Sequence, residues 1–148
     1  MAMDIFSGAN FKVFLGAAGD TLATDFEEVP EIAAFINTGF ESTVIDVVSF
    51  NSAFNRKLLG SKKINDMDLK VNHLPGNSIH VKLEQLAKDQ KRCQIKLEFC
   101  VDETHTEGFY EVYQCFVSSA GNESERDQVF TKTYKLAADS IIDSGLLQ

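Results

Sequence analysis

The sequence is poor in cysteine and has neither a long apolar run nor a signal peptide. Its three cysteines are a sparse and odd-numbered set, which argues against the disulfide framework of a small secreted domain. No apolar run approaches the roughly 20 residues of a membrane span, so we expect no membrane partner. The first residues, MAMDIFSGAN, lack the basic start and apolar stretch of a signal peptide. We therefore expect a chain that folds in the cytoplasm.

Basic residues are nearly absent from the first third of the chain. Residues 1–55 contain one basic residue, Lys12, and eight acidic residues, and the whole chain carries a net charge of −8. Ordinary nucleic-acid binding relies on lysine and arginine to neutralise phosphates, so this acidic excess argues against it. The excess indicates either a solvated face that aids solubility or a surface that does not hold a polyanion.

Catalytic and metal-binding motifs are also missing. The sequence contains no GxSxG, P-loop or GxGxxG motif. Cys100, His105 and Glu107 are close in sequence, but zinc sites show paired spacings such as CxxC, so a reduced strand cysteine beside a polar turn is favoured. His73 and His80 flank a predicted strand-to-helix turn and are interpreted as surface or turn histidines. We expect neither an enzyme nor a bound cofactor or metal.

The hydrophobic pattern predicts mainly strands. A chain of 148 residues is long enough for a single domain with its own core. Alternating or β-branched segments predict strands at residues 11–15, 43–50, 66–72, 93–99, 109–117 and 128–136. Residues 27–37 mix acidic and apolar side chains around Pro30, and this pattern fits either a turn or a strand.

One amphipathic helix is predicted between two of these strands. Asn77 or Ser78 can cap it, and its apolar residues share one face: Ile79, Leu83, Leu86 and Ala87. Because only one stripe is apolar, the helix should lie across a sheet or close one end of a barrel. The expected fold is mainly β, an antiparallel β-sandwich or partly open barrel with one flanking α-helix at about residues 78–91, in one domain spanning 1–148.

The connection at residues 51–63 is long, polar and predicted to contain no strand of its own. Loops of this length tend to be functional or disordered. Its apolar and basic residues predict a contact surface, with a flexible basic loop as the alternative: Phe54, Arg56, Lys57, Leu58, Leu59, Lys62 and Lys63. The strands at 43–50 and 109–117 are apolar on both faces, which predicts a core on one face and a partner on the other.

Five segments, taken in order, carry a resemblance to a known family. They are VIDVVSFNSAFNRKLLGSKK, INDMDLKVNHLPGNSIHVKLEQLA, CQIKLEF, FVSSAG and DQVFTKTYKL. From Val44 onward, over about two thirds of the chain, the sequence resembles the major tail tube proteins of long, flexible-tailed phages of the lambda-like siphophage type.

The resemblance implies a structural virion protein of the phage tail that is assembled in the host cytoplasm. Subunits of this family form hexameric rings that stack into a tube, and DNA leaves the capsid through it without specific binding. The implied partners are further copies of the chain and the tail tip or initiator, tape measure and tail terminator proteins. The loop at 51–63 corresponds to the family's contact with the next ring, and no C-terminal decoration domain is expected.

Three strand residues with a polar face, Asp66, Asp68 and Glu98, are candidates for the lumen, where an acidic wall lets DNA slide. The basic residues of 51–63 are expected to meet acidic residues of the next ring, from the N-terminal third.

Two other classes of protein remain as alternatives. One is a tube protein of a bacterial contractile injection or type VI secretion-like system, and the other is a small β ligand-binding or adaptor domain.

Overall fold

The computed structural model of the protein describes residues 10–51, 53–101 and 107–147. Along the chain these residues form β1 (Asn10–Ala17), β2 (Glu27–Glu28), β3 (Phe40–Val47), β4 (Arg56–Ile64), β5 (Met67–Asn72), α1 (Ser78–Asp89), β6 (Arg92–Cys100), β7 (Gly108–Glu123) and β8 (Thr131–Leu147). All the strand pairings are antiparallel. Among these residues, no helix combines the length and the apolarity that crossing a membrane requires.

Six strands form one sheet in the order β2-β1-β6-β7-β8-β5. The long strands β7 and β8 pair with each other along their length, with three register shifts, the last between Val117 and Ser119. Such irregularities increase local twist, which helps a sheet to curl. The first residues of β8, Thr131–Leu136, also pair with β5. The sheet therefore wraps around one side of the core.

A short segment, residues 27–33, links the two edges of the curled sheet. On one edge the backbone N–H of Val29 donates to the carbonyl of Val13 on β1, at 2.8 Å. On the other edge the N–H of Ala33 donates to the carbonyl of Lys70 on β5, also at 2.8 Å. The segment thus pairs with two strands in succession, which explains its mixed pattern. The predicted partly open, antiparallel barrel is confirmed.

The core lies inside the curled sheet and beneath α1. Side chains along each strand alternate between the core face and the solvent face of the sheet. On the core face, Leu69, Leu97 and Leu136 are fully buried. Asn77 caps the helix, since its Oδ1 accepts the N–H of Ile79 at 3.0 Å. The helix buries Ile79 and Leu83 and ends at a left-handed Gln90. The predicted helix is confirmed, with its last helical residue at 89 instead of 91.

Strands β3 and β4 form a separate two-stranded hairpin, residues 40–64, which we call the arm. Its pairs run from Phe40 opposite Ile64, at the base, to Val47 opposite Arg56, at the outer end. The prediction that 51–63 contains no strand is therefore wrong for residues 56–63. The four basic residues interrupt the apolar alternation that is typical of a strand. Residues 56–63 form a strand because they pair with β3, which is rich in β-branched residues.

Candidate assembly surfaces

The arm is apolar on both of its faces. On one face Val44 lies opposite Leu59, and on the other Ile45 lies opposite Leu58. These side chains are 54%, 75%, 47% and 58% exposed, in that order. The expectation that the strand at 43–50 covers one face with its own core is wrong, because both faces of the arm contact solvent. Contiguous exposed apolar surface is a common property of interaction sites.

The outer end of the arm adds large apolar side chains. Phe50 is fully exposed, and Phe54 and Val48 are also mostly in solvent. All three lie in or beside the turn that connects β3 to β4. Aromatic side chains are enriched in the centres of protein interfaces, because they cover a large area at low cost in conformational entropy. The end of the arm is therefore suited to burial against another protein surface.

The four basic residues of the arm are divided between its ends. Arg56 and Lys57 lie at the outer end, and Lys62 and Lys63 lie at the base. The Nζ atom of Lys62 is 5.6 Å from the centre of the Phe40 ring. Within the described ranges, none of the four forms an ion pair with a carboxylate. Their charges are therefore available to another molecule.

The base of the arm faces β8 across a groove of about 440 Å³. Phe40 and Ile64 of the arm and Ile141 of β8 give this groove an apolar lining, and Lys62 and Lys63 lie at its rim with Asp139. Within β8, the residues that pair with β5 are the first six. The later part of β8 consequently has β7 on one side, and on its other side no described strand forms a ladder with it. An unpaired strand edge is a template for a strand of another molecule.

The structure brings together two of the three lumen candidates. Asp66 and Asp68 are exposed and line one pocket of about 480 Å³. Glu98 lies on β6, with β7 and β8 between it and β5 in the sheet, and it is 3.6 Å from the Nζ atom of Lys96. Asp68 and Glu98 each alternate with buried residues and so extend from the sheet face opposite the core. Their assignment to a lumen stays a prediction.

Sequence reasoning missed a buried polar contact beneath the helix. The prediction that His80 is a surface or turn residue is wrong, since its side chain is fully buried. Its Nδ1 accepts the N–H of Leu74 at 3.0 Å, and its Nε2 lies 2.9 Å from the carbonyl oxygen of Pro30. The sequence did contain a signal for the burial of His80. This residue directly follows Ile79 and lies three residues before Leu83, at the edge of the apolar stripe of the helix.

A second polar cluster joins the helix to β8. The Nζ atom of Lys132 is 2.6 Å from Oε1 of Glu84, and this hydrogen bond holds the pKa of the Glu84 carboxyl below its ordinary value. The Nε2 atom of His73 lies 3.5 Å from the same oxygen. These contacts connect α1 to β8 and to the residue that follows β5.

The three cysteines are buried. Cys93 and Cys115 face each other across β6 and β7, and the hydrogen bond between them lowers the pKa of Cys93 and raises that of Cys115. Among the residues with a described position, no group of three or more histidine, cysteine or acidic side chains could hold a metal. His105, considered above as a ligand, lies outside the described residues.

No family model and no curated protein matches this sequence, but solved structures share its fold. A chain of the PVC extracellular contractile injection system, from its extended sheath–tube complex, superposes with a TM-score of 0.74 and 13% identity, covering 97% of this chain and 93% of that chain. The SPP1 tail tube superposes with a TM-score of 0.66 and 11% identity, covering 97% of this chain and 79% of that chain.

A chain of the native gene transfer agent virion gives a TM-score of 0.67 with 11% identity, and the match covers 97% of this chain and all of that chain. Identities this low establish the fold alone. The curled sheet with its flanking helix therefore has a fold that is shared with the SPP1 tail tube and with chains of the other two assemblies.

Proposed function

We propose that this chain is a structural subunit that assembles with further copies of itself into a tube. The observation that carries the proposal is the arm, apolar on both faces, on a subunit with the tail tube fold. Removing apolar surface from water contributes about 25 cal/mol per Å², so association that covers both faces is favourable. A two-stranded hairpin is marginally stable alone, and contact with neighbouring copies would also stabilise the arm itself.

The proposed assembly consists of hexameric rings stacked along an axis, with the arm of one subunit against the next ring. Contacts along such an axis are heterologous, because two different surfaces meet and the contact repeats without closing. The four basic side chains of the arm meet acidic side chains of the neighbouring ring, and the apolar faces form the centre of the contact. Tail tip or initiator, tape measure and tail terminator proteins would begin, measure and end the growth of the tube.

In the phage form of this proposal, the tube is part of the virion tail and DNA passes through it. The net charge of −8 supports this, since an acidic wall repels phosphates and prevents adhesion. Asp66, Asp68 and Glu98 are the proposed lumen residues. Asp68 and Glu98 lie on the sheet face opposite the core, which is compatible with that role, and Asp66 is exposed directly before β5.

Negative-stain electron microscopy of the concentrated, purified protein tests the proposal. We expect stacked rings with a central hole. A protein that stays monomeric at high concentration and binds a small apolar ligand would contradict it, and would favour the ligand-binding or adaptor alternative.

A second candidate is a tube of a contractile injection system. It is supported by the higher TM-score to the PVC chain than to the SPP1 tail tube, 0.74 against 0.66. The two candidates predict the same subunit and differ in the sheath and the cargo. A gene for a sheath protein beside the gene for this chain would favour the injection system, and genes for a long non-contractile tail would favour the phage.

A further inference from the structure

The turn between β7 and β8 forms a groove lined by three carboxylates, Glu123, Glu125 and Asp127, together with Val129 and the cation Lys70. The turn also contains the exposed Arg126, and because carboxylates are in excess over cations we call this the acidic groove. The groove has a volume of about 820 Å³. Glu123 is 3.5 Å from Lys70, whereas neither Glu125 nor Asp127 forms an ion pair within the described ranges. A hydrogen bond of 3.1 Å from the N–H of Gln128 to the carbonyl of Glu125 shapes the turn. Two unpaired carboxylates thus lie in a concave surface.

Apolar side chains accompany these carboxylates. Val129 in the groove is 66% exposed, and the adjacent Phe130 is 45% exposed. The outer end of the arm has the complementary character, with the cations Arg56 and Lys57 beside exposed aromatic rings. Opposite charges placed around apolar contacts set the orientation and register of an interface. The groove and the outer end of the arm therefore match in both charge and polarity.

The acidic groove and the base of the arm lie at opposite ends of β5. Asn72 pairs with Thr131 beside the groove, whereas Met67 pairs with Leu136 at the other end. The arm ends at Ile64, directly before that second end of β5. The six residues of β5 separate the two positions by roughly 17 Å. The arm therefore starts at the end of the subunit that is remote from the groove, and a heterologous contact between two such surfaces repeats from copy to copy.

We propose that Arg56 and Lys57, at the outer end of the arm, dock in the acidic groove of the next copy of this chain. The nine residues of β4 extend this end roughly 25 Å from the base of the arm. Among the described strands, β3 and β4 pair with each other and with no strand of the main sheet. The docking rests on the proposed function, because it assigns the acidic partner that a stacked tube requires.

Charge reversal tests the docking. Glu125→Lys with Asp127→Lys should raise the protein concentration required for tube formation about tenfold or more, because two attractive contacts become repulsive. Arg56→Glu with Lys57→Glu should do the same. The combined four-substitution variant should return to within about threefold of the wild type, since the contacts are restored with opposite polarity. Light scattering and pelleting measure the concentration, and circular dichroism verifies that each variant is folded.

Glu27→Lys with Glu28→Lys is the matched control, because these exposed residues of β2 carry acidic charge of the N-terminal third. We expect the control to assemble like the wild type. If the control fails to assemble while the groove variant assembles normally, the partner of the arm lies in the N-terminal third and the docking is overturned. If the wild type itself forms no tubes, the proposed function fails, which is a different result.

A covalent test reports the geometry directly. The double variant Arg56→Cys with Glu125→Cys, oxidised with oxidised glutathione under assembly conditions, should give a ladder of trimers and longer species on non-reducing gels. Each single variant should stop at dimers, because one new thiol per chain joins only two chains. A double variant that forms the bond within one chain, or that stops at dimers, contradicts docking from copy to copy.

Discussion

The Nε2 atom of His80 donates a hydrogen bond to the carbonyl oxygen of Pro30, at 2.9 Å, and so ties the helix to the segment that closes the curled sheet. The direction of this bond follows from the other ring nitrogen. Nδ1 accepts the N–H of Leu74 at 3.0 Å, so the ring proton must reside on Nε2. The buried imidazole therefore has both nitrogens satisfied in one tautomer, and it sets the position of α1 relative to both edges of the sheet.

Replacing His80 with alanine should destabilise the subunit by about 2–4 kcal/mol, because it removes two hydrogen bonds and leaves a cavity beneath the helix. Lys88→Ala, on the exposed side of the same helix, should change the free energy of unfolding by less than about 0.5 kcal/mol. Urea denaturation followed by circular dichroism measures both. Equal midpoints for the two variants would show that the His80 contacts contribute nothing.

The ion pair between Glu84 and Lys132 should make stability depend on pH. The hydrogen bond from Lys132 lowers the folded-state pKa of Glu84 below its ordinary value of 4.5. A carboxyl with a depressed folded pKa stabilises the protein above its unfolded pKa, and this contribution is lost as the pH falls through the folded value. At neutral pH, Glu84→Gln should therefore cost about 1–2 kcal/mol.

At a pH below both pKa values of Glu84, the wild type and Glu84→Gln should unfold at nearly the same urea concentration. Glu125→Gln is the control, because it makes the same chemical change at an exposed turn position without an ion pair in the described structure. A difference between wild type and Glu84→Gln that stays constant from neutral to acid pH would contradict the role of the ion pair.

Sequence patterns correctly predicted the helix and the strands whose conformation is determined by residues close together in the sequence. The Asn77 cap and the apolar stripe of α1 are contained in a few consecutive residues, and β5 shows a regular alternation of polar and apolar residues. Strand β4 has no such pattern, because its conformation depends on pairing with β3. The burial of His80 depends on Pro30, which lies 50 positions away in sequence.

For the candidate site, too, some features follow from nearby residues and others depend on the three-dimensional structure. The apolar and basic residues of 51–63 predict a contact surface from composition alone, and that role stays a prediction. The exposure of both faces of the arm required the structure, because strand periodicity cannot tell a two-sided core from a two-sided interface. The grouping of Asp66 with Asp68, apart from Glu98, follows from strand order, which a single sequence does not encode locally.

Gly108 should not tolerate a side chain. Its φ of +151° is one that residues with a Cβ rarely adopt, and a Cβ there would lie 2.0 Å from the carbonyl oxygen of Phe99 and 2.9 Å from the Cα of Cys100. Both atoms belong to the backbone of β6 and cannot move aside easily. We expect Gly108→Ala to cost at least about 3 kcal/mol.

Gly76→Ala is the matched control for Gly108→Ala, because a Cβ at Gly76 would meet no atom within 4 Å. Its effect on the free energy of unfolding should lie within about 1 kcal/mol of zero. Thermal and urea unfolding measure both variants. Similar stability of the two alanine variants would mean that β6 and β7 can separate at Gly108 without cost.

Removing the exposed leucines of the arm should prevent assembly without unfolding the subunit. Leu58 and Leu59 lie on opposite faces, and each is more than half exposed. Leu58→Ser with Leu59→Ser therefore changes monomer stability little, but it removes apolar area from both faces of the proposed interface. Leu22→Ser, at a 46% exposed position outside the arm, is the control. We expect tubes in micrographs of the control and their loss in the double variant, and tubes in both would contradict burial of the arm.

Charge reversal at the base of the arm should also stop tube growth. Lys62 and Lys63 are exposed at the rim of the groove that contains Asp139, so Lys62→Glu with Lys63→Glu makes this end of the arm acidic. The reversed end then repels the acidic surface of the neighbouring ring, while the fold of the monomer, measured by circular dichroism and thermal unfolding, is retained. Lys82→Glu with Lys88→Glu makes the same change of charge on the exposed side of α1 and should leave assembly intact. Tubes of unchanged length in electron micrographs of the Lys62 and Lys63 variant would show that these cations take no part in joining ring to ring.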